Sequence, residues 1–178
     1  LVILLFAVGA GVGYLALNSG GSGNTNRTTP AAAGGPIKLV SAKDFDPQGD
    51  NRSENPGQVR FAFDGDPTTA WSTEHYNTVD FGRAKAGAGI WFDLGSSHTV
   101  RSVEVDSPDT GWSAAVYVAD NPAATLAGWG KPRATGSDLG THARLTLSSP
   151  ASGRYVLLWI TRLPASGKLR VSEVRVNG

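Results

Sequence analysis

The chain has no cysteine. That excludes a disulfide framework, a thiolate nucleophile and any zinc site built on sulfur, and leaves stability to the hydrophobic core or to a metal ion. It also lacks a charge excess, with 15 acidic against 16 basic residues and a formal net charge of +1. Such balance speaks against nucleic acid or an anionic lipid surface as the main partner. The usual catalytic signatures are missing too. The histidines His75, His98 and His142 are scattered, and no GxSxG, HExxH or phosphate-loop pattern occurs. Paired carboxylates such as Asp64 and Asp66 fit a turn or a cation site better than glycosidase chemistry. The chain therefore reads as a binding protein and not as an enzyme. No internal repeat is evident.

The first seventeen residues, LVILLFAVGAGVGYLAL, carry no charge and no proline. At about 1.5 Å per residue they would span roughly 25 Å, a little short of a bilayer core of roughly 30 Å. Residues 1–17 are thus expected to form a transmembrane helix, with its remaining length upstream. The basic n-region of a signal peptide is not seen. Residues 18–36, NSGGSGNTNRTTPAAAGGP, cannot bury enough apolar surface to offset ordering entropy and read as a flexible tether of roughly 25 Å reach. Residues 37–178 have the size of one domain. The expected location is the cell membrane, by a single pass, with this domain outside the cytoplasm.

Within the domain the hydrophobic period is two. Ile90, Phe92 and Leu94 alternate with Trp91 and Asp93; Val103 and Val105 form a second set, and Ala114, Val116 and Val118 a third. Residues 37–42, 144–147, 155–161 and 169–177 add further strands. Val156 to Ile160 is apolar on both faces, as a central strand requires. Turn signals lie at 107–111, 120–122 and 148–153. The pattern predicts an all-β fold, an antiparallel β-sandwich of jelly-roll type, with helix limited to a turn or two near 59–63 and 123–127.

The densest polar motif is Phe63-Asp64-Gly65-Asp66-Pro67-Thr68-Thr69-Ala70-Trp71-Ser72. Its carboxylates and hydroxyls can fold into an oxygen-rich loop that a hard cation would order, and they can equally form a self-bonded turn. A second acidic group, Asp46, Asp50 and Glu54, reads as a solvated loop. Of the five tryptophans, Trp71 and Trp159 read as core, and Trp91 faces outward or lies beneath a loop. Trp129, between glycines, is the ring expected to be exposed, or else packed under its own loop. The segment between Trp71 and Gly89 is long for a sandwich connection, and such loops carry recognition. His75, Tyr76, Asn77 and Arg83 on it, with Trp91, Trp129 and Arg162 as neighbours, form the candidate ligand site.

The DG-D-x-x-T-x-W core, the Phe92-Asp93-Leu94-Gly95 strand and the terminal Ser172-Glu173-Val174-Arg175-Val176, in this order, resemble the discoidin, or coagulation factor 5/8 type C, galactose-binding-like superfamily. More narrowly, Asp44-Phe45-Asp46-Pro47-Gln48-Gly49-Asp50 through Glu54-Asn55 is similar to the extracytoplasmic tail of actinobacterial MviN-type proteins. Thr73-Glu74-His75-Tyr76, Gly87-Ala88-Gly89-Ile90 and Leu158-Trp159-Ile160-Thr161-Arg162-Leu163-Pro164 extend that likeness. Those proteins are lipid II flippases with a pseudokinase region. The superfamily resemblance implies a structural calcium ion at the DG loop, held by Phe63, Asp66, Thr69 and Glu173. The narrower one implies a module that recognises a cell-envelope carbohydrate such as peptidoglycan or its precursor. An envelope protein as partner, and a structural cap without ligand, are the other functions open to such a fold.

Overall fold

In the computed structural model the described residues are 34–178. The span expected over residues 1–17, and the tether up to residue 33, lie outside them. Among the described residues no helix is long and apolar enough to cross a membrane.

Nine strands run through this region: β1 Pro36–Ile37, β2 Ser41–Phe45, β3 Trp71–Ser72, β4 Ala88–Asp106, β5 Trp112–Ala119, β6 Ala134–Leu139, β7 His142–Arg162, β8 Arg170–Val171 and β9 Glu173–Asn177. All pairings are antiparallel. The main sheet runs β1-β9-β4-β7-β5-β6 with β2 added on β4, and β3 pairs with β8. Strands β4 and β7 are long enough to serve both layers of the sandwich. The first half of β4 pairs with β2 and the second half of β7, whereas after an irregularity between Asp93 and His98 its second half pairs with β9 and the first half of β7. Period-two patterning then directs Ile90, Phe92, Val103, Val105, Val116, Val156, Leu158 and Ile160 into one core, each almost wholly buried.

The apolar run Val156 to Ile160 is central, paired to β4 on one side and to β5 on the other. Its outward residues Leu157 and Trp159 are buried as well, because residues 120–130 fold over that face and pack Trp129 against Phe45. The turn expected at 148–153 is instead strand. Ser152 and Ala151 pair with Thr99 and Val100, so β7 runs through it, tolerating Pro150 on an exposed stretch. The expected strand 169–177 breaks at Ser172, whose amide donates to the Asp106 carbonyl at 2.8 Å. Strand 37–42 likewise divides into β1 and β2. Among the described residues helical structure is confined to short 3-10 stretches, at Pro56–Ala62, Phe81–Arg83 and Leu126–Trp129.

Candidate functional site

The long segment 73–87 is held rather than loose. Its backbone pairs with residues 163–169: Thr73 N donates to the Leu169 carbonyl and Tyr76 N to the Gly167 carbonyl, both at 2.9 Å, while Leu163 N donates to the Val79 carbonyl at 2.8 Å. Gly167 has φ of 72°, and a Cβ there would lie 2.0 Å from the Tyr76 carbonyl oxygen, so only glycine permits this approach. Phe81, fully buried, meets the Tyr76 ring edge-on at 5.0 Å and anchors the segment from beneath.

Under this segment lies a buried ionic cluster. Glu54 is fully buried and Asp46 nearly so. Between them Lys85 Nζ donates to Asp46 Oδ2 at 2.5 Å and to Glu54 Oε2 at 2.8 Å, its side chain only 5% exposed. Glu54 also accepts from the Glu74 amide at 2.6 Å and from the Tyr76 hydroxyl at 2.9 Å. Asp44 takes the Glu54 amide at 2.7 Å, and the Gly49 amide donates to Asp46 at 2.9 Å. Burial pushes the Glu54 carboxyl up, against the pull of Lys85, the Glu74 amide and Tyr76. Burial opposes the Lys85 ammonium, yet its bonds to Asp46 and Glu54 outweigh this and raise its pKa. The Tyr76 hydroxyl is raised, first by burial and then by the Glu54 charge. A charged lysine shared by two buried carboxylates fixes three loops together, residues 44–54, 73–76 and 85. The reading of Asp46, Asp50 and Glu54 as a solvated loop is corrected accordingly: Asp50 is exposed, but Asp46 and Glu54 find in Lys85 a partner that lets them be buried.

Above the cluster opens a cavity of about 420 Å³, reached by Tyr76, Lys85, Gln48, Asp50 and Glu74. Gln48 accepts from the Ala86 amide at 2.7 Å, which leaves its NH2 group to donate. Aromatic surface, amide donor and carboxylate acceptors around one hollow are what a sugar hydroxyl array can use.

Of the residues expected at the ligand site, only Tyr76 lines this cavity. His75 lines a neighbouring one of about 380 Å³ with Ser166, Lys168 and Arg170. Trp91 lines a third, of about 270 Å³, that meets the first at Asp46. Asn77 is exposed, Arg83 forms an exposed ion pair with Asp80 at 3.3 Å, and Arg162 is exposed at the end of β7; none of them lines these three cavities. Of the two placements expected for Trp129, exposed or packed under its own loop, the structure shows the second. The ring is 3% exposed, stacked edge-on to Phe45 at 6.1 Å, and its Nε1 finds no hydrogen-bond partner among the described residues. Packing under its own loop was the stronger pull because β7 presents Leu157 and Trp159 for it to cover. Lys85, Gln48 and Glu74 were missed. The one signal available was an acidic cluster upstream facing a lysine at the end of a long loop.

The DG loop is bonded to itself. The Asp66 carboxylate accepts from the Thr68 amide at 2.9 Å and the Thr68 hydroxyl at 2.7 Å, while the Thr69 hydroxyl donates to Asp64 at 2.9 Å. Glu173 crosses from β9 to accept from the Gly65 amide at 2.9 Å. Phe63 packs its ring edge-on to Phe92 at 6.0 Å. Burial, then Asp64 and Asp106, raise the Glu173 carboxyl, opposed by the Gly65 amide and Arg175. Among the described residues no group of three or more His, Asp or Glu is gathered for an ion. As folded, the side-chain oxygens of Asp64, Asp66, Thr68 and Thr69 bond to one another and to nearby amides, and Glu173 closes the loop from β9.

No family model matches the chain. Among solved structures it is similar to the CBM32 of AlyQ in complex with 4,5-unsaturated mannuronic acid, with a TM-score of 0.60 at 17% identity over 79% of this chain and 96% of that one. It is similar to the family 32 module of Clostridium perfringens NanJ in complex with galactose, with a TM-score of 0.53 at 16% identity, covering 80% and 98% of the two chains. A pectin-binding module gives a TM-score of 0.55 at 14% identity, over 80% and 92%. The chain shares its β-sandwich fold with these carbohydrate-binding modules. At these identities the likeness is one of fold.

Proposed function

We propose that the domain is a non-catalytic glycan-binding module of the cell envelope, holding peptidoglycan or its precursor at the loop end around Tyr76, within a membrane protein of cell-wall synthesis. The observation that carries this reading is the Lys85 ammonium clamped between Asp46 and Glu54 directly beneath the cavity. A buried ion pair is seldom worth more than apolar packing for stability alone, but it fixes three loops in one geometry. Fixed loops lower the ordering cost of binding. A pyranose would pack against Tyr76, whose ring is held by the Lys85 ammonium 4.9 Å from its centroid, and direct hydroxyls to Glu74, Asp50 and the Gln48 amide. The solved neighbours add support, since those modules are described with uronic acid, galactose and pectin. The uncharged first seventeen residues support a membrane anchor. Calorimetric titration of the whole chain with soluble peptidoglycan fragments tests the reading. Saturable heat that Tyr76→Ala removes, with the far-UV dichroism unchanged, is expected; no heat from a folded protein would transfer the function to an envelope protein partner.

A further inference from the structure

We propose that the groove beside Trp91 is a second subsite, selective for a sugar unit that carries a carboxylate. It rests on the glycan-binding reading and goes beyond it in naming the charge of the ligand.

Lys43 on β2 and Trp91 on β4 are direct partners in register, and Trp91 is in turn opposite Leu157 on β7. All three side chains therefore leave the same, outward face of the sheet. Trp91 is half-buried and held by Tyr155, ring centroids 5.5 Å apart at 82°, which presets the indole as a platform. The hollow of about 270 Å³ beside it is closed on the far side by Pro122 and Ala123, small side chains that leave room over the ring.

Its charges are unequal in availability. The wall acids Asp44 and Asp46 are buried, with Asp44 accepting the Glu54 amide and Asp46 held by Lys85 and the Gly49 amide. Lys43 and Arg52 are exposed, and neither forms an ion pair among the described residues. An aromatic platform flanked by two uncommitted cations fits a pyranose whose ring face stacks while its carboxylate accepts from the ammonium and guanidinium. Asp46 lines both this groove and the Tyr76 cavity, so an oligosaccharide can lie across the two.

The test compares two disaccharides on the whole chain. N-acetylglucosaminyl-N-acetylmuramic acid and diacetylchitobiose differ chiefly by the lactyl ether carboxylate of the former. Binding is read by calorimetry and by the indole N–H resonance of Trp91, assigned with Trp91→Phe. The acidic disaccharide is expected to bind about tenfold or more tightly, the size of a charge-assisted hydrogen bond, and to move that resonance. Lys43→Gln with Arg52→Gln, both at exposed positions, should bring the ratio to about one while retaining the fold. Equal affinities for the two sugars, or a preference that survives the double substitution, would overturn the subsite and leave the glycan reading standing. Absence of binding by every saccharide, from a folded chain, would remove both.

Discussion

Two loops of this domain carry clustered carboxylates and dispose of them in opposite ways. In the DG loop the acids lie at the surface, and Asp64 and Asp66 are bonded to Thr69 and Thr68 two to five residues away. In the loop of residues 44–54 the acids turn inward, and Asp46 and Glu54 share a lysine 39 and 31 residues further on. The first closes on itself and ties the chain only through Glu173 and Gly65. The second joins distant segments and shapes the cavity above it. Carboxylates satisfied locally make a turn, whereas carboxylates satisfied from afar join separate loops beside a cavity.

The contrast is sharpest in stability. Lys85→Met strands two buried carboxylates and should cost about 3–5 kcal/mol, with a correspondingly large fall in melting temperature. Asp66→Asn, at an exposed turn, should leave the melting temperature within about 2 °C of the parent. Comparable losses from the two would erase the distinction. Gly49→Ala is the next largest change expected. A Cβ there would sit 2.0 Å from Asp46 Oδ2, expelling the carboxylate from its amide and from Lys85, at a cost of about 1–3 kcal/mol by chemical denaturation.

The two loops should also fail at opposite ends of the pH scale. Lys85 has its folded pKa raised, by carboxylate hydrogen bonds that outweigh burial, and Tyr76 has its own raised by burial. Their contributions are therefore complete below their ordinary values of 10.5 and 10.0 and are lost as pH rises beyond them. Asp66 is depressed by its Thr68 bonds, so its contribution is present above its ordinary value of 3.8 and lost as pH falls below it. Urea midpoints across pH, compared between the parent, Lys85→Met and Asp66→Asn, should show the first variant's deficit shrinking above pH 10.5 and the second's shrinking in acid. The smallest effect expected is that of calcium. Exchange of millimolar calcium for chelator should move the melting temperature by no more than about 2 °C. A rise of several degrees would mean that Glu173 and Asp66 leave Gly65 and Thr68 to take up the ion.

What was legible in the sequence follows the same division between local and distant partners. Alternation exposed Ile90, Phe92 and Leu94 as one face, and the doubly apolar Val156 to Ile160 as a central strand, because those properties are written in neighbouring residues. The sandwich followed from them. The run through 148–153 was hidden, since its strand character comes from pairing with β4 and not from its own turn-forming residues. Likewise β6, reading Ala-Thr-Gly-Ser-Asp-Leu, has no apolar face of its own and is a strand because β5 recruits it. At the site, Tyr76 and the outward set of Trp91 could be read from loop length and alternation. The Lys85 cluster could not, because a charged residue reads as solvated until the partner that buries it is placed. Trp129 shows the converse, a ring in a glycine-flanked loop drawn down by an apolar sheet face formed elsewhere.

The most direct test of the glycan-binding site is a crystal structure of the whole chain with a peptidoglycan-derived disaccharide. The expected result is sugar against Tyr76, within hydrogen-bonding distance of Glu74, Asp50 or Gln48, on a Lys85 cluster unchanged beneath it. Sugar at the DG loop with the Tyr76 cavity vacant would contradict this account.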